Sequence, residues 1–154
     1  MAGHDDEAPA RSRQAGRRLS AGQARELLGG ARVARLGTVG PGGRPHLVPI
    51  TFALAGDTIY TAVDAKPKST RRLQRLANIR ADRRVAVLAD HYAEDWSALW
   101  WVRADGDAAL LTEPAELAGP LSLLVARYPQ YRLARPAGPV IAIGVRRWTG
   151  WASR

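Results

Sequence analysis

The sequence of 154 residues predicts a single, mainly β domain built as a small antiparallel barrel with a few short helices. Three observations predict it. There are six or seven short apolar runs of strand character, most of them are joined by tight turns, and no repeat or linker divides the chain. A hydrophobic content of 46% excludes wholesale disorder, and no apolar run reaches the ~18–20 residues of a membrane-spanning helix.

The N-terminal segment differs from the rest of the chain. Residues 1–17 are polar, lack periodicity and contain no apolar h-region, so we expect a disordered leader there and one domain over 18–154. The chain has no cysteine, which excludes disulfides and thiolate chemistry and makes a cytoplasmic location the expectation. The three histidines show no metal-ligand spacing, so no metal site is predicted.

The first half of the chain predicts one helix followed by three strands. Ser20 is a favoured N-cap and Gly29-Gly30 a favoured helix end, which predicts a helix over about 21–28. Short connections rich in glycine and proline then predict an antiparallel meander. Its strands are Val33–Val39, His46–Phe52 and Thr58–Val63, with turns at Pro41–Arg44 and Ala55–Asp57.

The second half predicts two further helices among short strands. Leucines at helical spacing predict a helix over 69–79, and Pro114 near a first helical position predicts another up to about Tyr128. Asp105-Gly106 is a strong hairpin signal between two apolar runs. The predicted strands are 84–89, 99–104, 107–111 and 140–148.

The excess positive charge is concentrated in one segment. Between Lys66 and Arg84 stand eight Lys or Arg residues and a single acid, Asp82, so this segment carries +7 of the formal +9. It follows predicted strands and enters a helix, and the N–H groups of a helix start together with flanking cations favour a polyanion. The segment therefore predicts a site for a phosphorylated cofactor. The alternatives are a solvated helix face for the cations and a simple N-cap for Ser69.

Four pieces of the chain, taken in their order and spacing, resemble the pyridoxamine 5′-phosphate oxidase-like superfamily of split β-barrel, FMN-binding-like proteins. They are Arg35–Val39, Gly43–Pro49, Asp57–Ala62, and Lys66-x-Lys68 ahead of Leu73…Asn78-Ile79. The run Asp90–Arg103 resembles a branch of oxidoreductases that use the deazaflavin coenzyme F420. One departure is the helix exit Ala81-Asp82-Arg83-Arg84, where relatives commonly carry Asn-Pro-Arg.

The resemblance implies a homodimer with two cofactor sites at the subunit interface, and hydride transfer from reduced F420 to an electron-poor small molecule. No catalytic side chain is named, because the cofactor carries the chemistry. The implied contacts are Val48, Pro49, Ile50 and Thr51 with the ring, Ala62, Val63 and Asp64 near the ribityl part, and Lys66, Lys68, Ser69 and Arg72 with phosphate. Trp100 and Trp101 are further candidates, although strand alternation turns them to opposite faces, so at most one lines a given pocket.

Other interpretations remain open at this level. FMN would fit an oxidase of the pyridoxamine phosphate type, and an F420-binding carrier would need no turnover. A nucleic-acid-binding protein, which the sequence favours least, would use the arginine-rich helix and lose affinity steeply with salt. No membrane partner is predicted. Pro49 predicts an edge or a bulge because it cannot donate to a ladder, and His46 is expected to be structural.

Overall fold

The computed structural model describes residues 16–63 and 70–153, and for residues 70–73 it describes helical backbone alone. In these ranges the elements are β1 (Arg17–Arg18), α1 (Ala21–Gly30), β2 (Ala34–Val39), β3 (Pro45–Ile50), β4 (Ala53–Ala55), β5 (Thr58–Ala62), α2 (Thr70–Ala81), β6 (Arg84–His91), β7 (Trp100–Leu111), α3 (Pro114–Arg127), α4 (Gln130–Leu133) and β8 (Val140–Ala152). Strand β1 includes Arg17, the last residue of the predicted leader, and residues 1–15 lie outside the described ranges.

The described strands form one antiparallel sheet in the order β3-β2-β6-β7-β8-β5-β4, with β1 paired to the end of β8. The sheet curls into a half-barrel whose two edges are β3 and β4. These two strands are consecutive in the chain, yet they lie at opposite ends of the strand order. The predicted mainly β split barrel in a single domain is confirmed.

The predicted meander is wrong at its second step. Among the described strands, β3 pairs with β2 alone, whereas β5 pairs with β4 and β8. The chain leaves the sheet at Thr51-Phe52 because the Tyr128 hydroxyl accepts from the Phe52 N–H at 3.1 Å and lies 2.9 Å from the Phe52 carbonyl oxygen. The N–H of this buried residue is thereby satisfied outside any ladder, and its carbonyl oxygen shares the single hydroxyl proton of Tyr128 with the Arg32 carbonyl oxygen, so the strand can end there.

The predicted hairpin at Asp105-Gly106 is also wrong, since β7 runs through both residues. A register shift against β8 falls between them, which makes this a β-bulge. A Cβ built on Gly106 would lie 2.3 Å from the Gly144 carbonyl oxygen, so the two strands approach too closely for any side chain. The glycine is required by this contact and not by a turn.

Two apolar clusters support the sheet. The main cluster fills the inner face and includes the fully buried Leu36, Val87, Val102 and Ile143. The second lies between α3 and the strands β4, β5 and β8. Helix α1 begins as predicted: Ser20 Oγ accepts from the Gln23 N–H at 3.2 Å, and Gln23 Oε1 accepts from the Ser20 N–H at 3.0 Å. Helix α3 begins at Pro114, also as predicted.

Candidate functional site

An open groove crosses the outer face of the sheet from β3 to β7. Cross-strand pairing sets Leu47 opposite Gly37 and Gly37 opposite Ala86, so small residues form its floor between larger neighbours. Its volume is about 520 Å³, a size typical of small-molecule sites. It is lined by Arg35, Gly37, Leu47, Ala86, Leu88, Asp90, Tyr92, Trp101 and Arg103.

Strand β3 forms the open edge beside this groove. Pro49 is exposed and lies opposite Arg35, which in turn lies opposite Leu88 on β6, so Pro49 shares the outer face with the groove lining. Because β3 pairs with β2 alone, the prediction that Pro49 marks an edge is confirmed. A flat ligand can approach this edge without breaking a ladder hydrogen bond.

The other residues predicted to line a ring do not share the outer face that Pro49 occupies. Val48 packs against the main core and Ile50 is buried in it, so both side chains face inward. Thr51 follows the strand, is half-buried, and its Oγ1 lies 2.7 Å from the Tyr131 hydroxyl. Of the four residues, Pro49 is the one whose side chain the strand pairing places on the outer face, and contact of any of the four with a ligand stays a prediction.

The residues predicted near a ribityl chain and a phosphate are only partly described. Ala62 is buried in the second cluster, and the Val63 N–H donates to the Pro139 carbonyl at 3.1 Å. The described residues do not include Asp64, Lys66, Lys68 or Ser69, and the side chain of Arg72 is also outside the description. Helix α2 begins at Thr70, immediately after this basic stretch, as predicted.

The two adjacent tryptophans face opposite sides of the sheet, as strand alternation predicts. Trp101 lines the groove. Trp100 packs against the main core and borders a separate depression of about 430 Å³ next to α1. Trp148 packs on the main core, and its Nε1 donates to Asp57 at 2.9 Å.

Ion pairs moderate the charge around the groove. Arg35 pairs with Asp90 at 3.4 Å, and Arg103 pairs with Asp105 at 3.1 Å. All four side chains keep contact with water, so each pair contributes little to stability. Farther along, hydrogen bonds from Arg84 lower the pKa of Asp82 to about 2. The single acid of the basic segment is thus engaged by Arg84.

Helix α2 is attached to the barrel through a buried polar contact. The Asn78 amide donates to Thr38 Oγ1 at 3.0 Å and accepts from Gln74 at 2.7 Å. His46 lies opposite Thr38, and its buried Nδ1 has no hydrogen-bond partner in the described part of the chain. Neither Asn78 nor His46 lines the groove, and the structural role of His46 stays a prediction.

Sequence reasoning missed most of the groove lining. The groove floor combines Leu47 of β3, Gly37 of β2 and Ala86 of β6. These residues are adjacent because β2 lies between β3 and β6 in the sheet. The β2–β3 hairpin was predictable, and extending its outward positions from Pro49 would have identified Leu47, Arg35 and Gly37. Tyr128 and Tyr131 come from distant helices, and no local pattern connects them to Thr51-Phe52.

The half-barrel, its proline-containing open edge and the groove beside it define a split β-barrel of the flavin-binding type. A family model described as pyridoxamine 5′-phosphate oxidase matches residues 20–152. The chain therefore belongs to the pyridoxamine 5′-phosphate oxidase family, which includes oxidases and other oxidoreductases.

Solved structures share the fold at low sequence identity. An FAD-binding protein from Mesorhizobium loti is 22% identical, with a TM-score of 0.67 over 88% of this chain and 96% of its own. A conserved hypothetical protein from Mycobacterium tuberculosis is 23% identical, with a TM-score of 0.69 over 96% and 91%. An FAD-binding protein from Mycobacterium smegmatis is 20% identical, with a TM-score of 0.59 over 87% and 94%. No curated protein sequence matches the chain.

Two absences can be stated for the described residues. Across residues 16–63 and 70–153, no helix combines the length and apolar character that a bilayer crossing requires. In the same ranges, no group of three or more His, Cys, Asp or Glu side chains is placed to hold a metal ion.

Proposed function

We propose that this protein is an F420-dependent oxidoreductase that transfers a hydride from the reduced deazaflavin to an electron-poor organic substrate. The observation that carries the proposal is the apolar outer-face groove at the β3 edge in a chain whose Lys66–Arg84 segment holds +7 of its charge. A planar heterocycle with a long anionic tail needs both features: a flat apolar surface for the ring and a cluster of cations for the tail.

The side-chain chemistry of two separate parts of the chain supports such a cofactor. Trp101 and Pro49 offer ring surface on the outer face, and Leu47 and Leu88 exclude water from it. The predicted phosphate contacts Lys66, Lys68, Ser69 and Arg72 stand just before and within the first turn of α2, where helix-end N–H groups add to the attraction for an anion. The bound deazaflavin supplies the hydride, and the protein supplies binding, orientation and a dry surface.

A homodimer is part of the proposal. The outer face exposes Leu47 at 72% and Tyr92 at 69%, and both line the groove. Apolar side chains this exposed, grouped around a groove, are typical of an interaction surface. A second copy laid on this face would cover them and enclose the cofactor ring between the subunits.

A flavin is the second candidate. Two structural neighbours are described as FAD-binding proteins, and the family name refers to an oxidase. FMN carries a single phosphate and needs less positive charge than F420, which is why the strength of the basic segment favours the deazaflavin.

The test is a tryptophan-fluorescence titration with F420, FMN and FAD in parallel, at low and high salt. Tight binding of F420 with weak flavin binding supports the proposal, and oxidation of reduced F420 in the presence of nitroaromatic or enone acceptors separates an enzyme from a carrier. Tighter binding of FMN or FAD than of F420 would indicate that the cofactor is a flavin and not the deazaflavin. If no cofactor binds while DNA binds with steep salt dependence, the proposal is wrong.

A further inference from the structure

Two tyrosine hydroxyls converge on the dipeptide that ends the open edge strand, and they contact different parts of it. The Tyr128 hydroxyl contacts main-chain atoms: it accepts from the Phe52 N–H, and its one proton is shared between the carbonyl oxygens of Phe52 and Arg32. Tyr131 instead lies 2.7 Å from the side-chain hydroxyl of Thr51. The first contact fixes the backbone, and the second acts on one side chain.

Tyr131 is held in place independently of Thr51. Its ring makes an edge contact with the Tyr128 ring at 5.7 Å between centroids and 67° between planes, and it packs against the second cluster. Helix α4 begins two residues after Tyr128, so the two rings are carried by one compact helical corner. Edge contacts of this kind favour a fixed ring orientation.

The contact restricts the rotamer of Thr51. A threonine has one hydroxyl and one methyl on its β-carbon, so fixing the hydroxyl also fixes the methyl. Thr51 is half-buried and directly follows β3, one position past the buried Ile50 and two past the exposed Pro49. Its remaining accessible surface therefore lies at the end of the edge predicted to meet the cofactor ring.

We propose that Tyr131 is a positioning residue that fixes the side chain of Thr51 for contact with the bound cofactor. The inference rests on the proposed function, because it assigns a contact within that site. Tyr131 need not touch the cofactor. Its contribution reaches the site through Thr51, so removing either hydroxyl removes the same orientation.

The experiment is a double-mutant cycle on the dissociation constants of F420, FMN and FAD with full-length protein. The variants are Tyr131→Phe, Thr51→Val and the pair together. Loss of one neutral hydrogen bond predicts that each single variant weakens binding by about threefold to tenfold. The double variant should bind the cofactor no more weakly than the weaker-binding single variant, because both changes remove the same orientation of the Thr51 side chain. The spectrum of the bound cofactor should shift equally in all three variants, which a change in global stability would not produce.

The matched control is Tyr60→Phe, which removes a hydroxyl from the same cluster. Among the described residues this hydroxyl makes no hydrogen bond, so binding should equal that of the wild type. Two results would overturn this inference and leave the proposed function standing, provided that the wild type binds a cofactor. The first is a Tyr131→Phe variant that binds the cofactor as tightly as the wild type. The second is a double variant in which the losses of affinity of the two single variants multiply. If Tyr131→Phe does not fold, an unchanged Thr51→Val variant overturns it. A wild type that binds none of the three cofactors overturns the proposed function and this inference with it.

Discussion

The hydroxyl of Tyr128 takes the place of a neighbouring strand for Phe52, since it pairs with both the N–H and the carbonyl oxygen of that residue. Phe52 is completely buried, so neither group has access to water. One side chain from the end of α3 thus allows the chain to cross from one edge of the sheet to the other.

Tyr128→Phe is expected to destabilise the protein, because it leaves buried main-chain groups of Phe52 without a partner. The predicted loss in the free energy of unfolding is about 1–3 kcal/mol. Urea unfolding followed by circular dichroism measures it, and Tyr60→Phe is the control that should lose little. A Tyr128→Phe variant as stable as the wild type would show that water or a shifted backbone satisfies Phe52.

Gly106→Ala is expected to destabilise the barrel because a methyl group would overlap the Gly144 carbonyl oxygen of the neighbouring strand. Forcing the strands apart at the bulge predicts a loss of about 1–3 kcal/mol. Gly22→Ala is the matched control. A Cβ on Gly22 in α1 would make one ordinary contact, with Ser20 Oγ at 4.0 Å, so the change should stabilise by up to about 1 kcal/mol. Thermal unfolding of both variants checks the opposite signs.

Lys68→Ala should weaken F420 binding, and Arg83→Ala should change it little. A charged hydrogen bond to phosphate predicts a loss of about tenfold to a hundredfold for Lys68→Ala. Arg83 donates to the Ala108 carbonyl at 3.3 Å, which gives it a structural partner away from the groove. Equal effects in the fluorescence titration would mean that diffuse charge, and not a defined site, binds the anion.

Leu47→Asp should convert a dimer to a monomer by placing a charge in the proposed interface. We expect the dimer dissociation constant, measured by analytical ultracentrifugation, to rise at least about tenfold. Leu133→Asp is the control, since Leu133 is 95% exposed on α4 and outside the groove. Dimers that persist in both variants would place the interface elsewhere.

Acid should reduce stability through Asp57 and Asp82. Hydrogen bonds from Trp148 and Arg25 lower the pKa of Asp57 below its ordinary 3.8, and those from Arg84 lower the pKa of Asp82 to about 2. Because each folded pKa lies below the unfolded one, the stabilisation is complete above about pH 4 and is lost as the pH falls toward about pH 2.

The check is unfolding free energy measured between about pH 5 and about pH 2, for the wild type and Asp57→Asn. The variant should be less stable near neutral pH and should show a shallower fall in acid. Arg25→Gln should reproduce part of this change, because Arg25 donates at 2.6 and 2.9 Å to the same carboxylate oxygen. Identical pH profiles for all three proteins would exclude Asp57 as a contributor.

Local chemistry predicted the elements whose determinants lie close together in the chain. The Ser20 cap, the Pro114 helix start and the strand edge at Pro49 each depend on a residue type with a strong backbone preference. Period-2 alternation predicted the opposite faces of Trp100 and Trp101. These features follow from short-range physics that tertiary contacts did not override.

The two errors arose where distant contacts determine the backbone. Asp105-Gly106 has the sequence of a turn, but the close approach of Gly144 uses the same glycine for a bulge. Thr51-Phe52 has the sequence of a continuing strand, but Tyr128 satisfies its main chain from another element. The groove lining could not be predicted because it depends on the order of the strands in the sheet. Short turns determine which strands pair as hairpins, but not how the hairpins are ordered.

The prolines of β3 also bear on how the protein behaves at high concentration. In an antiparallel pair, alternate residues direct their N–H groups toward the partner strand and away from it. The Gly40 N–H donates to the Arg44 carbonyl oxygen at 2.7 Å, so the main-chain groups of Arg44 point toward β2. Those of the alternate positions 45, 47 and 49 therefore point to the open side. Two of these three positions have no N–H to offer. A foreign strand would find Leu47 as the sole donor among them, so the barrel can keep this edge open for a ligand without offering a template for fibrous self-association.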